Sequence, residues 1–428
     1  MRLLFSFLFV FSVGVQADTI SRSEYAEKLQ GFWLGQCIAN WTGLVTEMDK
    51  IGGEGAYGVF YTREDWGGPD QPNAFSGEPS PISATIDWVV RGENEIWGAD
   101  DDTDIEYIYQ HLLDNHETVK LSGEQIRDGW LTHIYSDSDT PHERNGQPEN
   151  FLWVSNQEAY TLMEEKGLTP PATSDPANNQ FYDMIDAQLT TEIFGVFAPG
   201  DPDLALEIAH LPIRTTAQGE AALAAEFYVI MHALAGVQDP SLSRKQQVFA
   251  IAAEARARTP DDSYTAKMYD FVLSRYEAGV PWEQARDEVY QRYQVDEEDG
   301  YDITSREMFC NGCFAAGINF AASMVSLFYG EGDFKETVKI AVLAGWDSDN
   351  PAATWGGLLG FMDGRTLLEE SFGMKMSDRF NIHRTRRGFD SDIDTFPNMA
   401  DTGLRIIDRV VSEEMQGTVS GDLWQINP

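Results

Sequence analysis

Positive charge is what this sequence has least of. Only 30 Lys and Arg stand against 70 Asp and Glu in 428 residues, a formal net charge of −40. That balance argues against nucleic acid as a partner, because a phosphate backbone would be repelled. Cysteine is scarce too: Cys37, Cys310 and Cys313 are the only three. A cystine framework is therefore excluded. The pair in Cys310-Asn311-Gly312-Cys313 lacks the second C-x-x-C or the histidine pair that a zinc site needs. It reads as two small buried thiols opening the helical stretch FCNGCFAAGINFAASMVSLFYG, although an oxidising compartment would permit one disulfide. Strand-like runs are few and short, and no internal apolar run is long enough to cross a bilayer.

The one long apolar run lies at the start. Met1-Arg2 is followed by LLFSFLFVFSVG and then Val15-Gln16-Ala17: a short positive region, an apolar core and a small-residue cleavage site. Residues 1–17 read as a secretory signal peptide, with Asp18 the first mature residue and a periplasmic or secreted destination. No lipobox cysteine is present in it, and no membrane span remains after its removal.

The rest is overwhelmingly helical. Ser21 to Glu24 and Ser122 to Gln125 have capping-box spacing. The stretch from Thr103 places Ile105, Ile108 and Leu112 on one face. Other helical patterns include NNQFYDMIDAQLTTEIFGVFA, DFKETVKIAVLAG and NPAATWGGLLGFMDG. The expected architecture is all-α, one multi-helix domain over residues 18–428 with a metal centre between helix ends. Gly31 and Gly35 are four apart, as are Gly356 and Gly360. Glycine costs helix stability, so the repetition suggests close helix packing. His210, His232 and the His142-Glu143-Arg144 run are lone signals and read as structural.

Two aspartate clusters carry the chemistry. The first is Asp100-Asp101-Asp102-Thr103-Asp104, the second Asp347-Ser348-Asp349-Asn350, and each stands where a loop enters a helix. Acids at a helix N-terminus suit its dipole, so each alone is equally a cap. Together they form an all-oxygen donor set suited to hard divalent ions.

The chain resembles the ADP-ribosylglycohydrolase family, which carries a G-x-x-x-G-D-x-x-G helix, a T-D-D-T segment and a C-terminal G-x-D-x-D-T-x-A-A-x-x-G-x-x-x-G segment. The counterparts here begin at Gly31, Asp100 and Gly345, in the same order and with similar separation. The resemblance implies an all-α fold, two divalent cations, usually Mg²⁺, and hydrolysis at C1 of a ribose. By motif position the metal ligands are Asp100, Asp101, Asp102, Asp347, Asp349 and Asn350. Glu47 is the positional candidate for the glutamate near metals and substrate. Asp100 and Asn350 stand where the family has threonine, and Gln36 where it has aspartate. The extra charge of Asp100 brings in Ca²⁺ or Mn²⁺ as alternatives.

The chemistry inferred is metal-assisted. Cations hold vicinal sugar hydroxyls, and Glu47 or one of Asp102 and Asp349 activates the attacking water. Substrate contacts are expected from Asp186, Gln188 and Thr190 in MIDAQLTTEIFGVFAPG. Trp66, in the aromatic loop over residues 52–81, and Trp346 are candidate faces for a ring. Export and acidity favour a small glycoside or oligosaccharide. ADP-ribosyl hydrolysis and non-catalytic metal or sugar binding are the alternatives. For a diphosphate, Arg306 or Arg384 would have to offset the acidic pocket.

Overall fold

The N-terminal helix α1 (Arg22–Gly43) is buried on nearly every side, from Gly31 to Gly43 almost without interruption. A helix without a polar face lies in the middle of a bundle. In this computed structural model, which describes residues 18–98, 100–144, 146–302, 310 and 312–426, α1 is the central rod. The proposed signal segment, residues 1–17, and Arg306 lie outside the described residues.

Among the described residues the other helices are α2 (Asp101–Asn115), α3 (Gly123–His133), α4 (Val154–Lys166), α5 (Asp186–Thr190), α6 (Ile193–Val196), α7 (Pro202–Ile213), α8 (Gly219–Ala235), α9 (Arg244–Arg258) and α10 (Tyr264–Glu277), followed by α11 (Trp282–Val289), α12 (Ala316–Gly330), α13 (Phe334–Ala344), α14 (Asp349–Asp363), α15 (Arg365–Phe372) and α16 (Phe396–Arg409). The expected all-α class holds. The strands are short. β1 (Asp18–Ser21) pairs antiparallel with β7 (Leu423–Ile426), which pairs with β6 (Thr418–Ser420), tying the two ends of the described chain together. A small hairpin of β2 (Glu143–Arg144) and β3 (Gln147–Pro148) and a pair of β4 (Arg379–Asn381) with β5 (Ile393–Thr395) complete the set. No helix is long and apolar enough to cross a membrane among the described residues.

Local chemistry starts the helices where the sequence places the signals. The Ser21 hydroxyl accepts from the Glu24 N–H, and Ser122 and Gln125 form a full capping box. The recurrent glycines make the seam between α1 and α14. A Cβ on Gly31 would lie 2.1 Å from the Gly360 carbonyl oxygen, and one on Gly35 would lie 2.1 Å from that of Gly356. Further along, a Cβ on Gly43 would come within 2.3 Å of the Asp349 Cα. The two helices touch backbone to backbone, and this brings the C-terminal end of α1 against the N-terminal end of α14.

Two expectations are corrected. The stretch NNQFYDMIDAQLTTEIFGVFA is not one helix: α5 ends at Thr190 and α6 starts at Ile193. At the break the Glu192 carboxylate accepts the Thr191 N–H at 3.2 Å. Nor does the helix after Cys310 start at the cysteines. Cys310 and Cys313 are a disulfide rather than two thiols, and they close a turn that precedes α12.

Candidate metal centre

Three helix ends deliver the acidic groups. Asp100 is the N-cap of α2, with its side chain accepting from the Asp101 N–H at 2.7 Å. Asp101 and Asp102 follow in the first turn, both buried. Asp347 and Asp349 enter from the α13–α14 turn, where Trp346 sits at a left-handed φ of 58°. Glu47 comes from the segment just after α1. One carboxylate oxygen from each of Glu47, Asp347 and Asp349 lies within 4.8 Å of the other two.

The first cluster meets this trio directly. Asp102 and Asp349 are in hydrogen-bonding contact. Asn40, near the end of α1, donates through Nδ2 to Asp102 and, at 3.3 Å, to Asp349. The Asn350 amide donates to Asp102 Oδ1 at 3.3 Å. Asn156 of α4 donates to Asp101 Oδ2 at 3.4 Å, and its backbone N–H donates to Asp186 at 2.9 Å.

Such a gathering is costly. Two carboxylates about 5 Å apart repel by about 3 kcal/mol at the effective dielectric of a protein site. Three such pairs cost roughly 10 kcal/mol, comparable to the whole stability of a domain. No ion pair with these carboxylates is present among the described residues, where the buried guanidinium of Arg386 goes instead to Asp104. Burial, and then the neighbouring carboxylates, hold Asp101, Asp102, Asp347 and Asp349 well above the ordinary carboxylate range. Glu47 is raised to about 7 by burial first and by Asp100 second, with Arg144 opposing. Protons or metal ions must supply the missing positive charge.

The oxygens favour a metal. Asp349 Oδ1, Asn350 Oδ1 and Asn40 Oδ1 are buried and accept no hydrogen bond. Buried acceptors are normally satisfied, and an oxygen-only set of this kind suits Mg²⁺, Mn²⁺ or Ca²⁺. The donor set present therefore fits a hard divalent cation.

The remaining expected residues divide. Asp186 reaches the centre: its charge is felt by Asp101 and Asp347, and burial raises it to about 6. The Thr190 hydroxyl is turned back onto the Asp186 carbonyl at 2.9 Å, and the Gln188 amide donates to the Ala316 carbonyl at 3.0 Å. Trp346 is fully buried, tilted against Phe60, with its indole N–H donated to Gln294. It shapes the loop and offers no open face. Trp66 stacks edge-on with Trp88, which packs on Phe334 at the start of α13. Lys339, midway along α13, lies 5.3 Å over the Trp66 ring, which is half-buried.

Sequence reasoning missed Asn40, Asn156 and Glu106. Asn40 had a usable signal, one turn after Gln36 on the same helix face. Gln36 itself donates to Glu106 at 2.7 Å, and Glu106 is in hydrogen-bonding contact with Glu192, whose other partners are the Thr354 hydroxyl at 2.6 Å and the Thr191 N–H at 3.2 Å. The contact between the two glutamates pulls in a second buried carboxyl from the α5–α6 break.

No curated protein matches the chain. A solved structure described as an ADP-ribosylglycohydrolase-related protein complex is 14% identical, with 90% of this chain and 98% of that chain covered and a TM-score of 0.48. The ADP-ribosylglycohydrolase family model matches residues 21–395. Its span runs from the Ser21 cap of α1 through both aspartate clusters, and the chain belongs to the ADP-ribosylglycohydrolase family, a family of metal-dependent hydrolases of glycosidic bonds.

Proposed function

We propose that this protein hydrolyses a glycosidic bond at a centre of two divalent cations, Mg²⁺ first among them, held by Asp100, Asp101, Asp102, Asp347, Asp349 and Asn350. The observation that carries the reading is the meeting of the two clusters across Asn40, with the buried oxygens of Asp349 and Asn350 accepting no hydrogen bond. Residues 18–428 act as one catalytic domain.

Cations in that shell would supply positive charge to hold sugar hydroxyls and to favour departure of the aglycone. The protein's own groups do the rest. Glu47, raised to about 7 and half-buried, can take a proton from water near neutral pH or return one to the leaving group. Asp102 and Asp349, fixed by Asn40, hold the acidic field that favours developing positive charge on the sugar. Asp186, held by Ser155 and the Asn156 N–H, is placed to orient a sugar hydroxyl.

The substrate we propose is a small glycan-derived or ribosyl glycoside outside the cytoplasm, with residues 1–17 removed on export. The Cys310–Cys313 disulfide supports that location, because disulfides persist in oxidising compartments. A true ADP-ribosyl substrate is the second reading. It is favoured by Arg144, stacked 4.9 Å over Trp153 and near enough to Glu47 to lower its pKa. Turnover of oligosaccharides, ribosyl glycosides and ADP-ribosyl conjugates by residues 18–428 with Mg²⁺ tests the choice. Release of ADP-ribose without turnover of any oligosaccharide would overturn the glycan assignment.

A further inference from the structure

The acidic centre is tied from behind to one turn. Cys310 and Cys313, both buried, are joined in a disulfide just before α12. With Met48 and Ile51 they form a small apolar cluster apart from the main core, against which Tyr57, Ala74 and Phe314 pack. Two separate routes lead from this turn to the centre.

The first runs through Met48, the residue after Glu47. Met48 has a left-handed φ of 60°. Its N–H donates to the Trp346 carbonyl at 2.9 Å, and its carbonyl accepts from Ala74 at 3.0 Å. With its backbone pinned on both sides and its side chain packed on the disulfide, Met48 ties that turn to the residue next to Glu47. The second route runs through Asn319 of α12, which is fully buried. Its amide donates to the Cys313 carbonyl at 2.7 Å, and its Oδ1 accepts the Asp347 N–H at 3.2 Å. One side chain thus joins the disulfide turn to the residue that opens the second cluster.

We propose that the Cys310–Cys313 disulfide, acting through Met48 and Asn319, positions Glu47 and Asp347, so that the cation centre is complete only in the oxidised protein. This rests on the cation reading of the site given above. Forming the bond takes two electrons and two protons from the two thiols. A disulfide-class oxidant accepts them by thiol–disulfide exchange and leaves as a dithiol. A chain with these thiols reduced holds Glu47 and Asp347 loosely and binds the cation weakly. The enzyme therefore gains its site on reaching an oxidising compartment.

The experiment compares the oxidised wild type with Cys310→Ala/Cys313→Ala, with Asn319→Ala and with the triple variant. Mn²⁺ affinity is read by electron paramagnetic resonance, amide hydrogen exchange over residues 46–50 and 345–349, and folding by melting curves. Each variant is expected to lose at least about tenfold in Mn²⁺ affinity, as when a supporting partner of a ligand is removed. The triple variant is expected to lose no more than the double one, because the two changes cut the same connection. The Asp347 amide is expected to exchange at least about tenfold faster while α8 keeps its protection. Wild-type Mn²⁺ affinity and wild-type Asp347 exchange in the double variant would overturn the proposal, as would full additivity in the triple. If the double variant does not fold, the wild type before and after reduction by a dithiol decides by the same two readings. If the oxidised wild type binds no Mn²⁺, the cation reading fails by itself, and the exchange at Asp347 still decides whether the disulfide positions that residue.

Discussion

Asp102 and Asp104 lie two residues apart on the same helix, both buried, and the protein treats them in opposite ways. Asp104 meets the buried guanidinium of Arg386 at 2.7 Å and the Thr385 hydroxyl at 2.6 Å. Asp102 meets two asparagine amides and the carboxylate of Asp349. Burial raises Asp104 to about 6 with Arg386 opposing it, whereas burial and then Asp100, Asp101 and Asp347 all push Asp102 well above the ordinary carboxylate range. One turn on, Glu106 shows a third arrangement: it is in contact with the Glu192 carboxyl, as two groups sharing a proton would be. The same helix therefore carries a carboxylate paired with a guanidinium, one paired with a second carboxyl and one at the meeting of the two clusters, where a proton or a cation would neutralise it. Charge density in the sequence does not separate the three; the partner does.

The largest effect should fall on the cation side. Asp102→Asn is expected to cut turnover of the glycoside by at least about 1,000-fold, about 4 kcal/mol of transition-state stabilisation. Steady-state kinetics on the folded variant check this. Turnover within a few-fold of wild type would remove Asp102 from the chemistry.

On the protein-neutralised side the loss should be stability. Asp104→Ala leaves a buried guanidinium unpaired and is expected to cost about 3 kcal/mol or more. Denaturant unfolding measures it. A variant as stable as wild type would show that Arg386 does not depend on Asp104.

A smaller change tests the seam that brings the clusters together. Gly43→Ala would drive a methyl into Asp349 and is expected to cost about 1–3 kcal/mol by overpacking. Cation affinity should fall with it. A melting curve and a Mn²⁺ titration read both, and unchanged affinity would mean that Asp349 is not held by this contact.

The smallest effect belongs to the proton-sharing pair. Glu192 is raised from 4.5 to about 7, with burial the first cause. A raised folded pKa gives stability that is full below the unfolded value and is lost as pH rises through the folded value. The metal-free protein should therefore lose stability between about pH 4.5 and about pH 7. Glu106→Gln supplies an amide donor to Glu192 and should shrink that loss. Melting temperatures at pH 5 and pH 7.5 test it, and a loss as large in the variant as in the wild type would contradict a shared proton.

Much of this frame is legible in the sequence. The two aspartate clusters, the Ser21 and Ser122 caps and the glycines four apart are local patterns, and local patterns set helix starts and close seams. Asp104 looks like its neighbours until Arg386, some 280 residues later, is seen beside it. Asn40, Asn319 and the Glu106–Glu192 contact are likewise pairings across the fold. Trp346 misleads for a related reason: an aromatic side chain marks a face, and only packing says whether it is open. The disulfide was hidden because C-x-x-C at the start of an apolar run fits thiols and a closed turn equally well.

Both clusters are expected to hold the same cations. Calorimetric titration of Mg²⁺ and Mn²⁺ into residues 18–428 tests it most directly, comparing wild type with Asp101→Asn from the first cluster and Asp349→Asn from the second. The expected result is binding by the wild type and loss of at least about tenfold in affinity in each variant. Wild-type affinity in either variant would show that its cluster only caps a helix, and would contradict a single centre.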